Sequence, residues 1–505
     1  MRAFALFRQK PWILFAIFLY LFSFWLRWWK LQHISPFGDD MARDAFVVLQ
    51  HIGERTPFVL GPKASVGNFY VQPIYYYLMA IPMFLSGGNP ESASMMIVVL
   101  ESLTPVLLYL IGRRYWKESA GQVMGVLYAI SPFAITFGSY AWSPNLIPLT
   151  STLMLFGVLE YVVRKNTKGL LVAITAAVLA LQMHYQAFSL MLFMATVFGY
   201  IVLFRRKDMW WWLGGSVLGA ATLLPLLFDV PLATQNFVNI YKFFTQEHAQ
   251  YFQTTRTFPF FWNNIPRFFE LVYGFMSDGY RVGRIIYLVG FTFLGVQTLW
   301  RMMKMRSLTA DAVFLWFALV SFISLRLYKG DKLDYYLLFM TMLPVMLLGV
   351  VYAAVDRFKV GRWMFGALFV WLAVTAWFQF PAKVHEPQHD YEKLRKFVRV
   401  LDAEIGADYA VVEIPYTFFK DPLRFAFLSE GGSSRLDESG ASKKPHVYIC
   451  SVEQFCEDGA YLQKENEHPE TLLGIEQKEH ALGRKKVKSF LFAEEQLRLE
   501  VVVYE

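Results

Sequence analysis

Four ionisable side chains stand close together in the stretch Ser35 to Phe46 (SPFGDDMARDAF): Asp39, Asp40, Arg43 and Asp44. A helix starting near Asp39 puts Asp40 and Asp44 on one face, with Arg43 beside Asp39 or Asp40. Neighbouring charges of both signs set how ready a carboxylate is to take a proton, so this group could serve as a general base. The same acids could hold a divalent cation through their oxygens. They could also do no more than cap a helix amino terminus, where free N–H groups and the macrodipole favour negative charge.

A second constellation is Arg326-Leu-Tyr-Lys329-Gly-Asp-Lys332-Leu-Asp334-Tyr335-Tyr336. Three cations and a glycine at the head of a helix fit a phosphate, and Tyr335 stands beside them as a further contact. Snorkelling of Arg326, Lys329 and Lys332 to lipid headgroups is the competing use. The turn Tyr140-Ala-Trp-Ser-Pro-Asn145 has an interfacial Trp and a Pro-delimited helix start, so Asn145 is either a cap or a substrate contact. In Leu181-Gln-Met-His-Tyr-Gln186, the polar Gln182 and His184 sit where one apolar run meets the next. Polar groups so near hydrocarbon line a cavity or bond helix to helix.

The elements that position these residues are membrane helices. The 505-residue chain is 56% hydrophobic and 17% charged, too apolar for a water-soluble protein of this size. About 20 helical residues span the hydrocarbon. Eleven candidate spans follow: Pro11–Trp29, Ala93–Gly112, Ser119–Phe137, Leu146–Val163, Gly169–Met183, Ala187–Phe204, Trp210–Phe228, Arg284–Trp300, Ala310–Leu325, Tyr335–Val355 and Trp363–Phe380. Pro73–Leu85 is apolar but short and holds two prolines and three tyrosines, which places it at the interface. The first span has no A-x-A site after it and reads as a retained anchor.

Lys and Arg mark cytoplasmic loops. With the amino terminus inside, each inner segment carries three, for example Arg113, Arg114, Lys117 and Arg205, Arg206, Lys207, while the short outer turns 138–145 and 184–186 carry none. Treating Pro73–Leu85 as a full span would put every later loop on the wrong side. The orientation expected is therefore a multi-pass protein of the cytoplasmic membrane, with residues 30–92, 229–283 and the tail outside.

From Pro381 onward there are 17 Lys and Arg against 23 Asp and Glu, and before it 31 against 17, so a basic membrane part (+14) carries an acidic tail (−6). Positive charge in short clusters between apolar runs argues against a nucleic-acid partner. Residues 381–505 read as a small extracytoplasmic soluble α/β domain after a transmembrane domain 1–380. Its expected helix is Asp390–Ile405, with strands Tyr409–Ile414, His446–Ile449 and Leu497–Tyr504 and a Gly/Ser-rich loop over Glu430–Lys444. Cys450 and Cys456 are the two cysteines, as a disulfide or as free thiols. No Walker A loop, dinucleotide fingerprint or H-E-x-x-H motif is present, so reactivity arrives with the substrate.

In this order the residues resemble the GT-C-fold glycosyltransferases related to protein O-mannosyltransferases and lipid A aminoarabinose transferases. The resemblance runs from Pro11 to Val355 through Asp40-Met-Ala-Arg43, Gly61-Pro-Lys, Gln72-Pro-Ile-Tyr-Tyr-Tyr77, Ile111-Gly-Arg-Arg114, Trp142-Ser-Pro-Asn145, Leu181-Gln-Met-His-Tyr185 and Asp334-Tyr-Tyr-Leu. It implies a mainly α polytopic membrane protein whose first outer loop supplies the catalytic carboxylate. Aligning the A-R pair puts that carboxylate at Asp40, with Asp39 as the alternative; Asp44 stands where many relatives have tyrosine.

The implied partners are a polyprenyl-phosphate sugar donor, membrane lipids and a lipid, glycan or protein acceptor, with a divalent cation at the acidic loop as the one cofactor considered. Gln72 joins Arg43, Asn145, His184, Arg326, Lys329, Lys332 and Tyr335 as expected substrate or phosphate contacts. The chain departs from the aminoarabinose branch at Val71-Gln72, where that branch shows Glu-Lys, and Asn145 stands about where some relatives have an acid. A lipid or polysaccharide transporter and a non-catalytic membrane scaffold are the competing classes, although the inverted halves typical of transporters are not visible.

Overall fold

The computed structural model describes residues 10–33, 37–64, 67–247, 280–305, 308–327, 334–363, 365–367, 370, 374, 391–406, 408–413, 420–430, 436, 443–451, 479–494 and 497–505. The chain divides into two compact units. The first comprises Met1–His33, Glu54–Phe84 and Glu91–Val384; the second comprises Ile34–Gly53, Leu85–Pro90 and His385–Glu505.

The first unit is helical. Its elements include α1 (Pro11–His33), α3 (Ile74–Leu85), α4 (Glu91–Glu101), α5 (Leu103–Tyr115), α6 (Glu118–Ala129), α7 (Pro132–Phe137), α8 (Ile147–Val162), α9 (Lys168–Met183), α10 (Phe188–Phe204), α11 (Met209–Ala221), α12 (Val230–Lys242), α13 (Tyr280–Met305), α14 (Ala310–Leu327) and α15 (Met342–Val355). Short 3-10 turns precede several of them; α2 (Asp39–Glu54) lies between α1 and α3 and belongs to the second unit up to Gly53.

Among the described residues, five helical stretches are long and apolar enough to cross a membrane: Pro11–His33, Glu91–Tyr115, Ser143–Val162, Tyr185–Phe204 and Tyr335–Val355. Others are shorter than the sequence pattern suggests because proline and turn residues cut them. The expected span Ser119–Phe137 is α6 and α7, separated where Ser131 accepts the Ala134 N–H and Pro132 starts a new helix. The expected span Trp210–Phe228 is helical only to Ala221, then tightens into a 3-10 turn around Pro225. At 12 residues, about 18 Å, α3 is too short to cross, as the sequence suggested. Trp363–Phe380 lies largely outside the described residues.

Glycines let these helices touch backbone to backbone. A Cβ on Gly157 of α8 would stand 2.5 Å from the Gly169 carbonyl oxygen of α9, and one on Gly112 of α5 would stand 2.5 Å from Gly121 Cα of α6. Without side chains at those points, dispersion and close approach replace the hydrophobic drive that lipid cannot supply.

Polar groups tie the bundle further. Glu101, buried where α4 gives way to α5, accepts the Leu149 N–H of α8 at 3.1 Å and the Thr104 hydroxyl at 3.1 Å. Arg27 of α1 is fully buried and donates to Ser23 Oγ at 2.5 Å, in a slot that Gly138 leaves open.

Several of the basic residues read from the sequence as inner-loop markers are paired with acids. Arg114 and Tyr115 bond Glu160 at 2.5 Å each, Arg301 and Trp116 both bond Asp311, Lys117 and Ser119 bond Asp356, and Arg205 bonds Asp208 at 3.0 Å. The bonds of Arg114, Trp116 and Lys117 stitch helix ends that are distant in sequence.

In the second unit, α16 (Tyr391–Ile405) buries Leu394, Phe397, Val398 and Leu401, the stripe that its spacing predicts. The sheet has the order β1-β2-β4-β3. Strands β1 (Ala410–Glu413) and β2 (His446–Ser451) run parallel, whereas β4 (Leu497–Tyr504) runs antiparallel to both β2 and β3 (Lys486–Glu494). Three of the strands match expected runs. Strand β3 and helix α17 (Lys420–Ser429) were not expected, because Lys485, Lys486 and Lys488 and the Asp421-Pro422 pair hide their patterns. Most of the Gly/Ser-rich loop 430–444, Cys456 and the side chain of Cys450 lie outside the described residues.

Candidate active site

In the second unit, α2 presents the acidic cluster. Met41, Ala42, Ala45 and Val48 are buried along one side of this helix, which fixes its rotation. Just before it, Phe37 is buried and packs against Tyr391 of α16 (5.2 Å) and Phe425 of α17 (5.4 Å). The tail segment therefore holds the start of the acidic loop, a long-range contact between residues more than 350 positions apart.

Arg43 forks between two carboxylates. Its Nη1 donates to Asp40 Oδ1 at 2.8 Å, while Nε and Nη2 donate to Asp44 Oδ1 at 3.0 and 2.8 Å. The acids differ in setting: the Asp44 side chain is 2% exposed and that of Asp40 is 38% exposed. Asp44 is thus a buried anchor for the guanidinium, and Asp40 keeps an accessible carboxylate held in orientation by Arg43. Asp39 begins the helix, and its side chain lies outside the described residues. Among the described residues no three His, Cys, Asp or Glu side chains gather as a metal site. The place between Asp40 and Asp44, where a dication would sit, is taken by the Arg43 guanidinium.

The first unit brings Gln72, Asn145, His184 and Tyr335 into one neighbourhood. Residues 61–64 and 67–72 pair in a hairpin-like way: Gly61 N–H donates to Val71 O (2.9 Å), Val71 N–H donates to Pro62 O (2.9 Å), and Lys63 bridges Tyr70. Gly61 packs against the Gln72 carbonyl, so any Cβ there would collide with it. The buried Asn236 of α12 continues the pairing like a neighbouring strand, accepting Tyr70 N–H at 2.8 Å and donating to Tyr70 O at 3.0 Å. Tyr185 donates to the same carbonyl at 2.8 Å, and Gln72 lies against the Tyr185 hydroxyl.

His184 turns the chain between α9 and α10. Its Nδ1 accepts the Gln186 N–H at 3.2 Å, which leaves the proton of the neutral ring on Nε2. Burial pushes this imidazole down to about 4, so it is uncharged at neutral pH. The ring stands edge-on to Tyr335 at 5.5 Å and tilted to Tyr336 at 6.1 Å, and Tyr335 meets Trp142 at 4.6 Å. Trp142 in turn stacks beside Tyr140 at 6.3 Å. Asn145, fully buried, donates from Nδ2 to Tyr140 O at 2.9 Å, which ties its own turn together and is not a helix cap, since no side chain caps the start of that turn.

Four shielded polar atoms here have no hydrogen-bond partner among the described residues: Gln72 Oε1, Asn145 Oδ1 and both amide atoms of Gln186. Each unmet group of this kind costs about 1–3 kcal/mol, so something must meet them. Gln186 was not singled out from the sequence, although it ends the same polar turn as Gln182 and His184. Gln182 donates from Nε2 to Thr222 at 2.5 Å, which fits the helix-to-helix use, while its Oε1 is shielded and unmet among the described residues. Arg326 lies in the last turn of α14 with its side chain outside the described residues, as are Lys329 and Lys332 entirely.

Residues 71–228 match the family model described as dolichyl-phosphate-mannose-protein mannosyltransferase. Among solved structures, the chain is similar to ArnT from Cupriavidus metallidurans bound to undecaprenyl phosphate, at 12% identity over 98% of both chains with a TM-score of 0.63. It is similar to the same protein in the apo state at 13% identity, 98% of both chains and a TM-score of 0.60. A third likeness is to the Archaeoglobus fulgidus oligosaccharyltransferase in complex with Zn and sulfate, at 14% identity over 95% of this chain and 72% of that one, with a TM-score of 0.53. At such identities the likeness is one of fold. None of the curated protein sequences matches the chain.

Proposed function

Because the chain has a GT-C fold and is related to the protein O-mannosyltransferases and lipid A aminoarabinose transferases, we propose that it transfers a sugar from a polyprenyl-phosphate carrier to an acceptor hydroxyl or amine on the extracytoplasmic face of the membrane. The observation that carries this reading is the sorting of the acidic cluster by Arg43. Asp44 is consumed as a buried partner, and Asp40 is left accessible and oriented. In the proposed step Asp40 takes the acceptor proton as the acceptor oxygen or nitrogen attacks the anomeric carbon. The bond from that carbon to the carrier phosphate breaks, the phosphate leaves with the electron pair, and the anomeric configuration inverts.

A phosphate leaves without a separate general acid. Arg43, Arg326, Lys329 and Lys332 are the cations proposed to stabilise the charge that develops on it. Eleven spans, an inside amino terminus and an outside α/β tail complete the proposed topology, supported by the three basic residues in every inner segment. The test is purified protein in lipid nanodiscs and in sealed vesicles with a labelled polyprenyl-phosphate sugar and a mixed acceptor pool. Transfer of label to acceptor is expected. Movement of intact donor across the vesicle membrane without transfer would make the chain a transporter and overturn the proposal.

A further inference from the structure

The polar neighbourhood of the first unit is chemically unlike a phosphate site. The groups left unmet among the described residues are mostly acceptors: the amide oxygens of Gln72, Asn145 and Gln186, with the Gln186 amide N–H as a shielded donor. The neutral His184 ring adds an Nε2–H, because its Nδ1 is spent on the Gln186 N–H. A phosphate at neutral pH accepts hydrogen bonds and donates essentially none, so it would satisfy the donors and leave three amide oxygens facing lone pairs. A hydroxyl both donates and accepts, and a ring with several hydroxyls can meet both sets. The rings of Trp142 and Tyr335, edge to face with centroids 4.6 Å apart, offer an apolar surface for the C–H face of such a ring.

We propose that Gln72, Gln186 and His184, backed by Trp142 and Tyr335, form the subsite for the sugar moiety of the donor, not for its phosphate, and that the sugar carries no anionic group. This inference rests on the proposed transfer from a lipid-phosphate sugar and sharpens it to a substrate class. The depressed imidazole of His184 agrees, since it adds no charge at neutral pH. A uronic acid would set a carboxylate, which only accepts hydrogen bonds, against amide oxygens that only accept, at the full cost of desolvating that charge.

The test uses full-length protein in nanodiscs with Trp fluorescence as a binding readout, in an Asp40→Asn background so that donor is not consumed. Three probes are compared: bare polyprenyl phosphate, polyprenyl phosphate carrying a neutral hexose, and methyl hexosides. Gln186→Leu is expected to weaken binding of both hexose-bearing probes at least tenfold and to change binding of bare polyprenyl phosphate less than twofold. It is also expected to raise the unfolding temperature of the ligand-free protein, because it removes two unmet polar atoms. Gln72→Leu serves as the second variant if Gln186→Leu does not fold.

Equal losses for the bare and hexose-bearing carriers would make this a phosphate site and overturn the inference, as would unchanged hexose binding in both variants. Tighter binding of a carrier bearing a uronic acid than of one bearing a neutral hexose would overturn the exclusion of anionic sugars. Gln186-dependent binding of methyl hexosides, together with no transfer by the protein that keeps Asp40, would retain the subsite and remove only the enzymatic reading.

Discussion

Asp40→Asn and Asp44→Asn, one helical turn apart, should fail in different ways. General-base catalysis contributes about 10²- to 10⁴-fold, equivalent to about 3–5.5 kcal/mol of barrier. Asp40→Asn removes that group and keeps its shape. Its ion pair with Arg43 joins side chains that are 28% and 38% exposed, so losing it costs about 0–1 kcal/mol of stability. Asp44→Asn instead replaces a buried carboxylate that accepts two N–H bonds from the guanidinium. Hydrogen bonds to charged groups contribute about 1.5–3 kcal/mol against about 0.5–1.5 for neutral ones, so the amide should lose about 1–3 kcal/mol of stability. Its activity should fall only as far as Arg43, still bonded to Asp40, loses its orientation.

The assay pairs initial rates of label transfer in nanodiscs with thermal unfolding of the same preparations. Asp40→Asn is expected to keep the wild-type unfolding temperature and to lose at least 99% of the rate. Asp44→Asn is expected to lower the unfolding temperature by several degrees and to keep a measurable rate. An Asp40→Asn protein with a tenth or more of wild-type activity would refute Asp40 as the base. A fully stable, inactive Asp44→Asn protein would exchange the two roles.

Three further outcomes follow from the geometry. Gly169→Ala would place a Cβ 2.9 Å from both Glu160 Cβ and the Tyr161 nitrogen, so α8 and α9 must part; a loss of about 1–3 kcal/mol is expected, seen as a lower unfolding temperature, whereas Gly199→Ala, with open space around it, should be neutral. In the second unit Arg399, with Arg395 adding to it against partial burial, holds the Glu430 carboxyl below its ordinary value of 4.5. A depressed carboxylate contributes stability that is present above the unfolded value and is lost as pH falls through the folded one. The wild type should therefore destabilise below about pH 4.5 more steeply than Glu430→Gln, as thermal unfolding against pH will show. Because Arg43 takes the place between Asp40 and Asp44, excess EDTA should leave the transfer rate unchanged; loss that Mg²⁺ or Mn²⁺ restores would put a cation in the site.

Apolar run length and the polar turns are local properties, and the sequence was enough to read from them apolar helices, the shortness of α3, the buried stripe of α16 and the closeness of Asp40, Arg43 and Asp44. Asp40 and Arg43, three helical positions apart, are spaced to meet, whereas the bonds of Arg43 to its neighbour Asp44 follow from no spacing rule. Contacts between distant segments were not legible in this way. No spacing rule ties Phe37 to Tyr391 and Phe425, puts Asn236 beside Tyr70, or leaves both amide atoms of Gln186 shielded and unmet. Which of two neighbouring acids is buried depends on what packs against the helix, and that alone separates Asp44 from Asp40. Sequence supplied the chemical inventory of the site; only the packed chain decided which of those groups are spent on structure and which remain for a substrate.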